Sequence, residues 1–398
     1  MFLIYLMVVS AAASAYAAWR LSAGSRCSVL VKIGLGVLIF LLFALTPLSI
    51  SLRIAGIENR WIDLVSWAGY VAAGFLSLVL SFLVIRDIGW AASAAARRFW
   101  ALVRPKKNRS PHLAEPGNPD RRRFIIQGVN VGLTAMAATL TGFAIAEARK
   151  IPDIKEVDIP LSGLPPELDG FRIVQITDIH VSPTIKRPFV TGVVQRVNAL
   201  DADVVALTGD LVDGSVQRLS GDVEPLGEVR ARYGRFFVTG NHEYYSGVDR
   251  WTEKVKSLGF DVLINEHRLL APGRGRILLA GVTDFRAGAH KPGHRSDPFK
   301  ALAGAPAADV RILLAHQPKS VFDASKAGFD LQISGHTHGG QFFPWNMLVP
   351  LAQPFVAGLH RHRGMQIYVS RGTGYWGPPL RLGSPSEITL IRLRSPKA

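Results

Sequence analysis

Arg172-Ile173-Val174-Gln175-Ile176-Thr177-Asp178-Ile179-His180 is a short apolar run that stops on a carboxylate and an imidazole, and this kind of ending recurs along the chain. Asp203-Val204-Val205-Ala206-Leu207-Thr208 leads into Gly209-Asp210-Leu211-Val212-Asp213, and Arg235-Phe236-Phe237-Val238-Thr239 into Gly240-Asn241-His242-Glu243. Arg311-Ile312-Leu313-Leu314-Ala315 leads into His316, and Asp330-Leu331-Gln332-Ile333-Ser334 into Gly335-His336-Thr337-His338. Short apolar runs alternating with amphipathic stretches from Ile151 onward predict an α/β layered fold. In such folds ligands gather outside the carboxyl ends of the strands, so these dispersed endings are expected to converge.

Two carboxylates, an asparagine and several imidazoles, without a thiolate, suit divalent ions of the borderline or harder kind: Mn, Fe or Zn, with Mn favoured. Glycines before Asp210, Asn241 and His336 allow tight turns where the backbone must come close to the site. One Asp-x-His is an ordinary surface turn. A series of such endings in order, each behind a strand-like run, is not.

Asp178-x-His180, Gly209-Asp210-x-x-Asp213, Gly240-Asn241-His242-Glu243, His316 and Gly335-His336-x-His338 resemble, in order and type, the motif set of calcineurin-like metallophosphoesterases. The resemblance covers about residues 155 to 395. Gly339-Gly340-Gln341 and the later Val369-Ser370-Arg371-Gly372 are most similar to the membrane-anchored branch that includes the bacterial YkuE and YaeI types. It implies a sandwich of two sheets flanked by helices. It also implies that Asp178, His180 and His338 hold one metal and Asn241, His316 and His336 the other, with Asp210 bridging both. A shared carboxylate keeps the cations roughly 3.5 to 4 Å apart, so that a bridging water ionises and attacks phosphorus in line. By the same resemblance His242 meets the phosphoryl or leaving-group oxygen as the catalytic general acid. Asp213 and Glu243 are expected to orient ligands rather than to coordinate.

Outside this domain the composition changes. Of 398 residues 48% are hydrophobic and 19% charged, and charge is nearly absent from several N-terminal stretches, which excludes a disordered chain or an isolated soluble globule. Cys27 is the only cysteine, so a disulfide-stapled module is excluded as well. The net charge of +16 is concentrated: residues 1–150 carry 17 Lys+Arg against 6 Asp+Glu, leaving 29 against 24 for the rest. Basic loops between apolar segments are a membrane pattern, and nucleic acid is not expected as a partner.

Met1 to Trp19, Ile33 to Leu52, Leu64 to Ile85 and Phe124 to Ala146 are uncharged for about the roughly 20 residues of a bilayer crossing. The chain then divides into a three-helix transmembrane region over 1–100, a basic cytoplasmic linker over 101–123, a fourth helix over 124–148 and the metal-binding domain over 151–398. Arg20, Arg26 and Lys32 in one loop, and ten basic residues from Arg86 to Arg123 in another, place both loops in the cytoplasm and the domain on the outer face. Arg121-Arg122-Arg123-Phe124-Ile125 also resembles a twin-arginine export signal, with Asp120 where Ser or Thr is usual. The fourth helix therefore reads either as a crossing or as such a signal.

Phe342-Phe343-Pro344-Trp345-Asn346-Met347-Leu348-Val349-Pro350-Leu351, followed by Phe355, Val356 and Leu359, holds too many prolines for a central strand. It reads as a loop or short helix near the cleft. It is either a flap packed on the domain's own core or a membrane-facing lip that admits a lipid tail. His360, Arg361, His362 and Arg363 follow it, as a solvated run or as contacts for headgroups or phosphate. Arg371 is a further candidate for phosphate contact. Trp251, Trp376, Tyr244 and Tyr245 are left between cleft and core.

The expected function is a membrane-anchored dinuclear phosphohydrolase acting on a phosphodiester or pyrophosphate bond of a lipid or envelope molecule. The competing class is a membrane scaffold or sensor that binds metal without turnover. Intact Asp178, Asp210, Asn241 and His242 disfavour the second, since a binding-only descendant could have lost any of them.

Overall fold

A computed structural model describes residues 2–103 and 118–396. Most of the linker expected at 101–123, with Lys106, Lys107, Asn108 and Arg109, lies outside the described residues. The chain forms two compact units, Met1–Phe143 and Ala144–Ala398.

The first unit consists of helices α1 (Phe2–Leu21), α2 (Val29–Ile54), α3 (Arg60–Val103) and the larger part of α4 (Pro119–Ala148). Short polar caps start them. Ser28 accepts from the Val31 amide to open α2, and Asn59 accepts from Trp61 and Ile62 to open α3. Among the described residues three helices are long and apolar enough to cross a membrane: Val29–Arg53, Arg60–Val103 and Pro119–Ala148. Helix α3 runs well past the apolar window expected to end at Ile85, because Ala91, Ala92, Ala94, Ala95 and Ala96 favour continuing the helix.

Polar contacts gather at one end of this unit. Arg26 pairs with Asp120 at 2.9 Å, Gln127 donates to the Gly24 carbonyl at 3.1 Å, and Asn130 donates to the carbonyls of Arg20 and Leu21 at 2.9 and 3.2 Å. Tyr16 donates to Asp87 at 2.7 Å, Arg20 pairs with the same carboxylate, and Arg86 bonds Asn130. The loop after α1 and the start of α4 thus meet at the same end, and the Gly56–Asn59 turn lies at the other end of α2.

The second unit contains strands β1 (Asp153–Pro160), β2 (Arg172–Ile176), β3 (Val204–Leu207), β4 (Arg235–Phe237), β5 (Asp261–Val262), β6 (Glu266–Leu270), β7 (Ile277–Gly281), β8 (Val310–Leu314), β9 (Leu331–Ser334), β10 (Gly358–His362), β11 (Met365–Val369) and β12 (Glu387–Arg394). They form two six-stranded mixed sheets, β1-β12-β2-β3-β4-β5 and β10-β11-β9-β8-β7-β6. Strands β2, β3 and β4 run parallel in the first, and β7, β8, β9 and β11 in the second. Helices α5 (Arg187–Asn198), α6 (Val216–Val223), α7 (Asn241–Ser246) and α8 (Val248–Ser257) follow the strands of the first sheet. The short α9 (Ala287–His290) and α10 (Pro298–Ala301), then α11 (Val321–Ala327) and α12 (Trp345–Ala352), belong to the second half.

The period of two along each strand explains the layering. Val204 and Ala206 of β3 pack with Ile173, Phe236, Leu279, Ile312, Leu314 and Ile333 between the sheets. Val205 and Leu207 face the opposite way, onto Val190, Val194, Leu219 and Trp251 of α5, α6 and α8. Leu313, Ile367 and Val369 cover the outer side of the second sheet with Val321 and Ala324 of α11. Truncating a filled position such as Phe237 or Trp251, both fully buried, costs about 3–5 kcal/mol. This rigid double layer holds the ends of β2, β3, β4, β8 and β9 side by side.

Candidate metal centre

The expected convergence is present. Asp178 and His180 follow β2, Asp210 follows β3, Asn241 opens α7 beyond β4, His316 lies beyond β8, and His336 and His338 follow β9. Their ligand atoms form three overlapping groups, each within 4.8 Å: Asp178, His180 and His338; Asp210, His316 and His336; and His180, Asp210 and His242.

Within the first group the Nε2 atoms of His180 and His338 are 3.1 Å apart, and His338 Nε2 is 3.5 Å from Asp178 Oδ1. Within the second, His316 Nε2 is 3.2 Å from His336 Nδ1 and 3.0 Å from Asp210 Oδ2. Two nitrogens bound to one ion at about 2.0–2.1 Å in tetrahedral geometry stand about 3.3 Å apart, so both imidazole pairs fit a shared cation. Asp210 Oδ2 also lies 3.8 Å from His180 Nε2, which sets this carboxylate between the two groups. The Asn241 Oδ1 atom is buried without a hydrogen-bond partner, the state expected of an oxygen whose partner is a metal. The donor set therefore fits two divalent cations.

Neighbours fix the rings. His316 Nδ1 donates to the Thr208 carbonyl at 2.8 Å, leaving Nε2 for the cluster. Asp213 takes His180 Nδ1 at 3.2 Å and His242 Nδ1 at 2.5 Å, so one carboxylate aims two imidazoles. Glu243 accepts the backbone amides of Gly240, Asp210 and Leu211 at 2.7, 3.0 and 2.7 Å and thereby holds two ligand loops together. Neither carboxylate belongs to the three ligand groups, and both act on backbone or ring hydrogens.

The backbone is strained where the ligands sit. Asp178, His180, Asp210, His336 and His338 all have φ between 51° and 71°. That left-handed region is uncommon for residues with a Cβ, and its concentration here is strain held by the surrounding fold. A Cβ on Gly240 would overlap the Asp210 side chain, and one on Gly335 would overlap Asp178 and Thr177. These two glycines permit the loops to close on each other.

Electrostatics keeps two of the imidazoles neutral, whereas, against burial, Asp210 raises His316 well above its usual value. Burial and the neighbouring His316 hold His336 down to about 3, and burial with the Arg381 guanidinium pushes His338 well below its usual value. Burial opposes ionisation of Asp210, but His316 and His242 outweigh it and hold the carboxyl well below the ordinary range. Burial likewise lowers His242, yet Asp213 and Asp210 prevail and raise it to about 9. Glu243 is pushed up to about 7 by burial and by Asp210.

Arg381 is not singled out in the sequence. Arg381 is fully buried, and its guanidinium bonds the carbonyls of His338, Gly374 and Ser384. It lies in a Gly- and Pro-rich stretch without periodicity, so nothing local marks it. Tyr245 and Trp376, about half exposed, place their rings 5.3 and 5.6 Å from His242 and line the approach to it. Trp251 instead is core, with its indole N–H on the Gly214 carbonyl. Tyr244 bonds His294 at 2.9 Å behind Tyr245. Arg371 lies half exposed beside Gly339, adjoining His338. His360 and His362 lie on edge strand β10 against Phe355 and Phe322. Phe342 is buried, whereas α12 buries none of its eight residues.

The family model described as calcineurin-like phosphoesterase matches residues 171–340. A Danio rerio "Transmembrane protein with metallophosphoesterase domain" is 42% identical over 267 residues, 65% of this chain and 61% of that protein. The chain thus spans less than two thirds of that relative. A Helicobacter pylori "Uncharacterized metallophosphoesterase" is 39% identical over 69% of this chain and 73% of its own length. The "Uncharacterized metallophosphoesterase YkuE" of Bacillus subtilis is 28% identical over 69% of this chain and 98% of its own.

Proposed function

Since the chain belongs to the calcineurin-like metallophosphoesterases, we propose that it is a membrane-anchored phosphohydrolase that cleaves phosphodiester or pyrophosphate bonds of lipid or envelope substrates with two divalent cations, Mn favoured. The observation that carries this reading is the pairing of two imidazole–carboxylate groups around Asp210, completed by the buried, partnerless Asn241 Oδ1.

Asp178, His180 and His338 would hold one ion, and Asn241, His316 and His336 the other, with Asp210 shared. Bound there, the ions supply Lewis acidity and a water that ionises near neutral pH. The protein's own part is positional. Asp213 aims His242 Nε2 toward the cluster, 4.0 Å from Asp210 Oδ2, where an N–H can donate to the leaving oxygen. Tyr245 and Trp376 border the approach, and Arg371 beside Gly339 offers a guanidinium to a phosphoryl oxygen.

The outer face is the proposed location of the domain. It is supported by the loop after α1 and the start of α4, which meet at one end of the helical unit. An outward cleft favours phospholipid or cell-wall phosphates over cytoplasmic precursors. The full chain in detergent with added Mn, assayed on bis(p-nitrophenyl) phosphate and on p-nitrophenyl phosphate, tests the activity. Turnover of the diester is expected, and a folded, metal-loaded protein that cleaves neither compound refutes the enzyme reading in favour of a binding protein.

A further inference from the structure

Helix α12 buries none of its eight residues. It contains no charged residue, and Trp345, Met347, Leu348 and Leu351 are 49%, 66%, 47% and 84% exposed. An apolar face of this kind in a polar solvent marks a partner.

Its base is part of the metal centre. Gly340 packs so closely on Asn346 that a Cβ there would overlap the first turn of α12, and Gly340 is two residues from His338. Gln341 is held by its side chain to the carbonyls of Trp376 and Pro378, both at 3.0 Å, and by its carbonyl to the Leu382 amide, also at 3.0 Å. The residue before Leu382 is Arg381, whose backbone amide donates to the carbonyl of Ala144 at 3.0 Å. Ala144 opens the second unit and lies in the final turns of α4, one of the helices apolar enough to cross a membrane. The place where α4 enters the domain is therefore two backbone hydrogen bonds from the foot of α12.

Charge points to the same partner. From Leu331 to Ser386 the chain has no Asp or Glu, and of its arginines Arg371 lies half exposed beside Gly339, whereas Arg381 is buried and Arg361 and Arg363 lie at the far end of β10 near Asp330. An acid-free segment with an uncharged Trp-, Met- and Leu-bearing helix has the composition of an interfacial element, with its apolar side among acyl chains.

We infer that α12 is a monotopic lip that inserts into the leaflet of the bilayer in which this chain is anchored, beside the metal centre, so that a lipid phosphoester reaches His242 and the ligand cluster without leaving the membrane. The inference rests on the proposed function for the identity of the substrate only. Insertion itself requires no turnover.

The test uses the full chain with Cys27→Ser, carrying Leu351→Cys or, separately, Met347→Cys, labelled with an environment-sensitive dye. The protein is reconstituted in vesicles of phosphatidylethanolamine and phosphatidylglycerol containing doxyl-labelled lipid, with Glu253→Cys on α8 as the aqueous control. The expected result is loss of fluorescence at both lip positions with doxyl lipid, and quenching by aqueous iodide at Glu253→Cys alone. Iodide quenching at the lip equal to the control overturns the inference, because the helix then faces water. Protection from both quenchers also overturns it, because α12 is then covered by protein, a second copy of the chain included. Doxyl quenching in an enzyme that cleaves soluble diesters but no vesicle lipid retains the lip and removes the lipid substrate.

Discussion

Arg381 braces His338 from behind: its Nη1 donates to the His338 carbonyl at 2.9 Å, and its Nη2 stands 3.2 Å from the ring Nδ1. The same guanidinium reaches the carbonyls of Gly374 and Ser384, so one side chain ties three segments under the metal centre. Burial holds this group down to about 10, still charged at neutral pH.

Removing a buried, hydrogen-bonded charge leaves its acceptors without partners. Arg381→Met is expected to destabilise the protein by about 1–3 kcal/mol for each carbonyl left without a partner. Arg381→Lys, which keeps the charge but not the fork, should fall in between. Denaturant unfolding monitored through the tryptophans measures both, and an Arg381→Met protein as stable as the parent would show that the brace carries no energy.

Asp210 faces both ligand groups, whereas His338 belongs to one. Asp210→Asn is expected to lower occupancy at both sites, and His338→Ala mainly at the site of Asp178 and His180. Metal analysis of folded variants reads this directly. Two full equivalents in Asp210→Asn would remove the bridging role.

His242 differs from its neighbours in what it should control. Its Nδ1 is committed to Asp213, and only Nε2 faces the cluster. His242→Asn should keep metal content near the parent value and lower turnover by about 10²- to 10⁴-fold, most for poor leaving groups. Asp213→Asn should lower both, since Asp213 also orients His180. A His242→Asn enzyme of unchanged rate on an alkyl diester would exclude the residue from the chemistry.

The strands that carry the ligands were legible because each one pairs an apolar period with a ligand-type ending, and both signals are local. Strand pairing is not local. Nothing near Glu387–Arg394 announces that β12 enters between β1 and β2, parallel to one and antiparallel to the other. The ligand types were readable, but their left-handed backbone at Asp178, His180, Asp210, His336 and His338 was not, since Asp and His enter that region more often than most residues yet only in a small minority of positions. Arg381 was invisible for a similar reason: its role arises from carbonyls of three segments brought together by the fold. Tyr245 and Trp376 could be placed only once His242 was.

The proposed orientation of the chain draws on contacts inside the helical unit. Arg26 pairs with Asp120, and Gln127 reaches the Gly24 carbonyl, so the loop after α1 and the start of α4 occupy one end. That end carries Arg20, Arg26 and Lys32 together with Arg121, Arg122 and Arg123, an excess that the membrane retains in the cytoplasm. On the proposed topology α4 leads outward from Pro119 and the metal-binding domain lies on the outer face. Cys27, exposed in the loop after α1, reports the inner side. An impermeant thiol reagent is expected to leave Cys27 unlabelled in intact cells and to label it after lysis. A reporter active only outside the cell, fused after Ala398, should be active. An inactive reporter on a well-expressed fusion would place the domain inside, and the substrate would then be sought among cytoplasmic lipid precursors.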